Sequence, residues 1–355
     1  MLGHGSCQTG ESPGSQDRPL DSERTVRHAS TLSADSLVAT AAGESRALSV
    51  VRDAVELTKP RITKLVVVTT MVGFAMGAMV HGQGGVGGRS VLGVVLLAAA
   101  TAVGTALCSS GAAALNEWLE RARDSAMRRT SNRPIPAGRL SAGAALRIGL
   151  GLSAVGALTL LVFANAVAAL VALATIVSYV VIYTPLKPVT PLATIVGAAP
   201  GALPPLIGWT AAWQGGAFGL DHPGGWSIVA IMTVWQIPHF LALAWKYRED
   251  YARGGHRGLP GLDPSGVSTA VTTVVWSAAL IPVSLASVLA MRWPGASPDA
   301  PDGLLGWPYA VAAVLLGGAM LAAAARFALR RDDKSAALLF FGSIAYLPLL
   351  LIAMV

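Results

Sequence analysis

The chain has 355 residues, 53% of them hydrophobic and only 13% charged, against about 25% charged in soluble domains, which excludes an ordinary soluble globular protein. Two cysteines, Cys7 and Cys108, exclude a disulfide framework and a four-thiolate metal site. The net charge of +7 is carried by basic residues interleaved with long apolar runs, a pattern that belongs to a membrane surface and not to nucleic acid.

Residues 1–50 are rich in Gly, Ser, Thr and Asp and hold no sustained apolar run, so they are expected to form a disordered cytosolic tail ahead of one membrane domain, 51–355. They also lack the apolar stretch of a secretory signal. A hydrocarbon core of about 30 Å needs about 20 apolar residues per helix. Nine windows fit: 62–80, 91–115, 142–162, 165–184, 192–212, 226–245, 268–290, 306–326 and 336–354. The third and fourth are divided only at Phe163–Ala166, and Pro200, Pro204 and Pro205 predict a broken fifth span. Placing the N-terminus inside leaves all but Arg89 and Arg292 of the 26 Lys and Arg residues on the cytoplasmic side. The expected fold is therefore an all-α polytopic membrane protein with a cytoplasmic N-terminus.

Before the first span, ELTKPRITK places Lys59, Arg61 and Lys64 at the inner surface, where membrane anchoring alone also accounts for them. After the second span the chain reads ALNEWLERARDSAMRRTSNRPIP. Asn116, Glu120 and Asp124 stand at i, i+4 and i+8, drifting about 40° per step around one helical face. Hard oxygen ligands so placed suit Mg²⁺, which takes one or two carboxylates and completes its shell with substrate phosphates. Arg128, Arg129 and Arg133 follow, and guanidinium forks match phosphate. The spacing equally fits carboxylates that pair with neighbouring arginines on a solvated loop helix. In Y-T-P-L-K, Lys187 lies on the same side. At the end of the sixth span, WQIPHFLALAWKYREDYARG brings Lys246, Arg248 and Asp250 to that side too, with Asp250 a candidate for a second metal position and a positive-inside loop the plainer alternative. His239 follows Pro238 inside an apolar span, which makes it a candidate for function, or for a bond to the carbonyl that the proline frees.

Together, N-x-x-x-E-x-x-x-D-x-x-M-x-R-T-x-x-R-P (Asn116–Pro134), L-T-K-P-R, Y-T-P-L-K, G-A-L-P-P-L-I-G-W and the P-H-F with K-Y-R-x-D-Y resemble the intramembrane UbiA-type prenyltransferases over about residues 55–355. The last of these motifs resembles the branch that farnesylates haem. The resemblance implies nine helices around a central cavity, with farnesyl diphosphate and haem B as substrates in the lipid bilayer of a bacterial inner membrane. Haem A synthase or an oxidase assembly factor would be a partner. It implies a catalytic metal set of Asn116, Glu120, Asp124 and Asp250 for Mg²⁺. Lys59, Arg61, Arg129, Arg133, Lys187, Lys246 and Arg248 would bind diphosphate, and His239 would bind haem. The wider family has D-x-x-x-D in the second acidic loop, and Lys246 stands here in place of its first aspartate, which weakens the case for a second metal. A same-fold enzyme acting on an aromatic or quinone-precursor acceptor, and a transporter with a proline-broken helix, remain alternatives.

Overall fold

The computed structural model describes residues 48–80, 86, 88–214, 216–291 and 305–354. Most of the expected tail, together with Cys7 and Arg292, therefore lies outside the described residues. Of a first unit, Met1–Val51, only the helical residues 48–51 are described; Arg52–Val355 is a second, compact unit.

Among the described residues of that second unit, nine helices are long and apolar enough to cross a membrane: α1 (Pro60–Val80), α2 (Val91–Asp124), α3 (Ala142–Phe163), α4 (Ala166–Leu186), α5 (Ala193–Ala212), α6 (Pro223–Lys246), α7 (Val267–Met291), α8 (Trp307–Arg330) and α9 (Asp333–Met354). The protein is a multi-pass membrane protein. Its boundaries follow local chemistry. Ser90, Ser141 and Asn165 accept from backbone N–H groups to start α2, α3 and α4. Asn165 also donates to the Thr210 carbonyl at 2.8 Å, so the turn at Phe163–Ala166 is fixed from both sides. In α5 the prolines divide the span into Ala193–Ala202 and Pro204–Ala212, with the break at Leu203.

α5 and α6 are the enclosed helices, 72% and 56% buried in their most apolar stretches against 22–39% for the others. The second half of α5 feeds two hydrophobic clusters from opposite faces. Ile207 and Ala211 pack with α1–α4, whereas Leu206 and Trp209 pack with α6–α9. Around this axis α2 lies along α3, α1 lies on the second half of α5, α6 meets α7 and α9, and α8 bridges α7 and α9. The outward faces carry Val95, Leu96, Val103, Leu150 and Leu158, as a helix facing lipid requires.

With lipid on one side and protein on the other, close packing has to supply the helix–helix attraction. The α2–α3 seam is built on Gly104, Cys108 and Gly111 against Gly149, Ser153 and Gly156. A Cβ on Gly156 would sit 2.7 Å from both the Gly104 carbonyl oxygen and the Cys108 nitrogen. Gly151, on the lipid side of α3, has nothing within 4 Å of its own Cβ position. We therefore expect Gly156→Ala to cost about 1–3 kcal/mol by overpacking, and Gly151→Ala to leave thermal unfolding in detergent unchanged. Equal midpoints for the two variants would contradict this seam.

Candidate functional site

α2 has 34 residues, which makes it about 51 Å long at 1.5 Å per residue, well beyond the hydrocarbon core. The acidic motif is therefore the unbroken end of a span and not a separate loop helix. Asn116, Glu120 and Asp124 share its inner face, and all three are buried. The Asn116 amide donates to Glu120 Oε2 at 2.9 Å and to Thr184 Oγ1 at 3.0 Å, while its oxygen accepts from Lys59 Nζ at 2.9 Å. Lys187 Nζ lies 2.9 and 3.0 Å from the two Glu120 oxygens. Arg133 Nη1 reaches Asp124 Oδ2 at 2.6 Å. Each expected carboxylate of this helix thus carries a cation that the sequence reading had assigned to phosphate.

Sequence reasoning missed Glu117, which is 1% exposed and has a buried Oε1 without a hydrogen-bond partner. It stands three and seven residues before Glu120 and Asp124, about 20° from Asp124 around the helix, so the same periodicity identifies it.

Two local distortions deliver the lysines. Lys59 has φ +48°, a left-handed backbone that is strained for lysine, just ahead of Pro60. The segment before it is anchored by fully buried Leu57 and by Arg139, which pairs with Asp53 at 3.3 Å and Glu56 at 2.9 Å. Burial, with Arg133 and Lys187 close by, lowers the Lys59 pKa to about 8. In α4 a π-helical turn, Ser178–Tyr183, precedes Thr184. The Thr184 N–H and hydroxyl both donate to the Tyr179 carbonyl, the hydroxyl at 2.8 Å. With its only proton committed there, that hydroxyl can only accept from Asn116, which orients the Asn116 oxygen toward Lys59. Lys187 follows one turn on, its Nζ 4.7 Å above the Tyr183 ring. Burial alone would lower the Lys187 pKa; Tyr183 and the Glu120 carboxylate raise it above the ordinary lysine value.

Asp250 behaves differently from the ligand expected of it. It lies in a short helix, Arg248–Arg253. Its Oδ1 accepts from the Arg128 N–H at 2.9 Å and from Arg253 Nη2 at 2.6 Å, and its Oδ2 accepts from the Arg129 N–H at 3.2 Å. Burial pushes this carboxyl up, but those three bonds hold it below the usual carboxylate range. Asp250 clasps the segment after α6 to the segment after α2. Arg129 lies over Tyr247 and Tyr251, at 5.5 and 5.7 Å. Lys246 and Arg248 line a pocket of about 350 Å³ with Arg128, Arg129 and Arg253, apart from Lys59, Arg133 and Lys187. Arg61 is exposed and makes no described contact with either group. His239 is held by Ser343 on α9, Nδ1 to Oγ 2.7 Å, and not by a freed carbonyl. Its ring stacks between Trp235 and Phe340, each at 4.9 Å.

The donors of α2 suit a hard cation: an amide oxygen, carboxylates, and a buried Asp124 Oδ1 without a hydrogen-bond partner. Among the described residues no three His, Cys, Asp or Glu side chains converge to hold a metal by themselves. The set therefore fits a Mg²⁺ that draws further ligands from a bound phosphate and water.

The sequence model of the UbiA prenyltransferase family matches residues 66–345. Protoheme IX farnesyltransferase of Solibacter usitatus is 42% identical over 299 residues, 84% of this chain and 96% of that protein. The protein of the same name from Opitutus terrae is 40% identical over 85% of this chain and 93% of its own length. Among solved structures, digeranylgeranylglyceryl phosphate synthase aligns with a TM-score of 0.65 at 12% identity, covering 86% of this chain and 96% of that one. A UbiA homolog from Aeropyrum pernix K1 gives 0.60 at 17%, covering 82% and 98%. A third, a UbiA homolog from Archaeoglobus fulgidus bound to GPP and Mg²⁺, gives 0.53 at 14%, covering 85% and 99%.

If Asp250 is a clasp, Asp250→Ala leaves two backbone donors and a guanidinium without their acceptor. In metal-free detergent this variant is then expected to be less stable than exposed Glu249→Ala by about 1–3 kcal/mol. Because the Asp250 pKa is lowered in the folded state, this contribution is present above the usual carboxylate range and fades as the pH falls through it. An unchanged midpoint at neutral pH would contradict the clasp.

Proposed function

The chain belongs to the UbiA prenyltransferase family, and from that premise we propose that it transfers the farnesyl group of farnesyl diphosphate to a vinyl group of haem B, giving haem O and diphosphate. The observation that carries this reading is the set of three buried carboxylate-face residues on α2, each already matched to a cation, together with identity of about 40% to farnesyltransferases along nearly their whole length. The sidedness of charge supports a bacterial inner membrane with these residues on the cytoplasmic face, and a haem A synthase or oxidase assembly factor would take up the product.

Asn116, Glu120 and Asp124 would hold Mg²⁺ against the diphosphate, and when bound that ion supplies Lewis-acid neutralisation of the leaving group. The chain's own residues do the rest. Lys187 and Arg133 are placed to exchange their carboxylate contacts, and Lys59 its contact with the Asn116 amide oxygen, for phosphate oxygens. They are preorganised at low dielectric, where charge building on the departing diphosphate gains most. The bond from C1 of the farnesyl group to the diphosphate oxygen breaks, and the allylic cation is captured by the haem vinyl carbon. Water adds to the resulting porphyrin-side cation and loses a proton, giving a hydroxyethylfarnesyl substituent. The Tyr179 and Tyr183 rings beside Lys187 give the cation a π-rich, water-poor wall. His239, with Nδ1 held by Ser343, is placed to present its other nitrogen to the haem.

Purified protein with haem B, farnesyl diphosphate and Mg²⁺ is expected to yield, by chromatography and mass spectrometry, haem heavier by one farnesyl group and one hydroxyl. EDTA should abolish the product, and Asp124→Asn should lower turnover by about 100-fold or more. Unmodified haem beside a prenylated aromatic acceptor would overturn the acceptor assignment. Thr184→Val should weaken Mg²⁺ by about 10–100-fold, with Thr184→Ser restoring it. Unaltered half-saturation in Thr184→Val would remove Thr184 from the positioning of Asn116.

A further inference from the structure

The cations on the polar side of the membrane domain fall into two groups. Lys59, Lys187 and Arg133 face the carboxylates of α2. The second group, Arg128, Arg129, Lys246, Arg248 and Arg253, lines the 350 Å³ pocket with Tyr247, Glu249, Asp250 and Asp333, and none of the first group lines it. Within this pocket two positive charges are already answered. Arg253 pairs with Asp250 at 2.6 Å, and Arg248 pairs with Asp333 at 2.9 Å. Two backbone N–H groups also donate to Asp250, so most of its acceptor capacity is taken within the chain. Arg128, Arg129 and Lys246 form no ion pair among the described residues, and Glu249 is the one lining carboxylate left outside a pair, so the pocket keeps a surplus of two positive charges for an outside anion.

Its position narrows what that anion is. Lys246 ends α6, and His239 lies seven residues earlier on the same face, about 10.5 Å down the helix axis at 1.5 Å per residue. α9 runs beside it: Asp333 lines the pocket, while Phe340 and Ser343 meet the His239 ring. One seam between α6 and α9 thus joins an aromatic-lined histidine inside the membrane to a dicationic pocket at its polar edge. That separation is of the order of the distance from the centre of a porphyrin to its propionate ends.

We infer that the Arg128–Lys246 pocket is the subsite for the acceptor's carboxylates, holding the two haem propionates at the aqueous edge while the macrocycle lies along α6 toward His239, apart from the diphosphate group. This deepens the farnesyltransferase reading and rests on it. It also reassigns Arg129, Lys246 and Arg248 from diphosphate to acceptor. Esterified propionates carry no charge, so the subsite predicts selectivity for the free diacid.

Soret titration in detergent without farnesyl diphosphate measures binding apart from turnover, using haem B and its dimethyl ester as the two probes. Wild-type protein is expected to prefer haem B by about tenfold or more, as loss of charge-assisted bonds implies. Lys246→Gln and Arg128→Gln should each weaken haem B severalfold and erase the preference, while the KM for farnesyl diphosphate stays unchanged. Two separate substitutions guard against a folding defect in one of them. A rise in the KM for farnesyl diphosphate with haem binding intact would overturn the subsite, placing diphosphate there instead. Equal binding and equal prenylation of haem B and its ester by the wild type would overturn the subsite and leave the farnesyltransferase reading standing. Wild-type protein that cleaves farnesyl diphosphate but neither binds nor prenylates haem would remove both.

Discussion

Charge buried at the end of a transmembrane helix has to be answered within a few ångströms, and the rest of the structure is arranged to meet that constraint. An unpaired carboxylate at low dielectric is far costlier than a paired one. Glu120 and Asp124 therefore bring Lys187 and Arg133 to them, and Asn116 brings Lys59. The backbone accommodates these deliveries with a left-handed residue at Lys59 and a π-helical turn before Thr184. Pairs of this kind are weak evidence for stability and stronger evidence for use, since the same cations can be handed to a phosphate that enters with its own metal.

The division of the core gives this network its setting. The second half of α5 packs one face into the α1–α4 cluster and the other into the α6–α9 cluster. α2 supplies the carboxylates in the first half, and α6 supplies His239 and Lys246 in the second. Asp250 joins the polar ends of the two halves by gripping the backbone after α2. On the proposed reading, acceptor and donor groups are built on different halves and brought together at one edge, where an amphiphile with a charged rim and an apolar body also belongs.

Much of this was legible in the residues. Runs of about 20 apolar residues have few alternatives to a membrane helix, so the nine spans, a turn within Phe163–Ala166 and a proline break somewhere in the fifth span follow from the residues alone, whereas the position of that break at Leu203 does not. Other features depend on tertiary context that a linear pattern does not carry. The membrane edge does not end a helix, so α2 continues through the motif to Asp124. Spacing put Asn116, Glu120 and Asp124 on one face, and the same arithmetic places Glu117 there, at a position that the motif N-x-x-x-E-x-x-x-D leaves open. Which partner each charge takes is set by segments more than 50 residues away, as with Lys59 and Asn116. For that reason one list of cations was legible, while its division into two groups was not. Likewise His239 was visible as an intramembrane histidine, but its bond to Ser343 on α9 depends on packing 104 residues along the chain.

The most direct test of that division is an experimental structure of the protein with Mg²⁺ and the non-ionising analogue farnesyl S-thiolodiphosphate. Lys59, Lys187 and Arg133 are expected to leave Asn116, Glu120 and Asp124 for phosphate oxygens, with the metal between the phosphates and the Asn116–Asp124 face. No phosphate is expected in the pocket of Arg128 and Lys246. Diphosphate seated against Lys246 and Arg248, with the Glu120–Lys187 and Asp124–Arg133 pairs still closed, would contradict it.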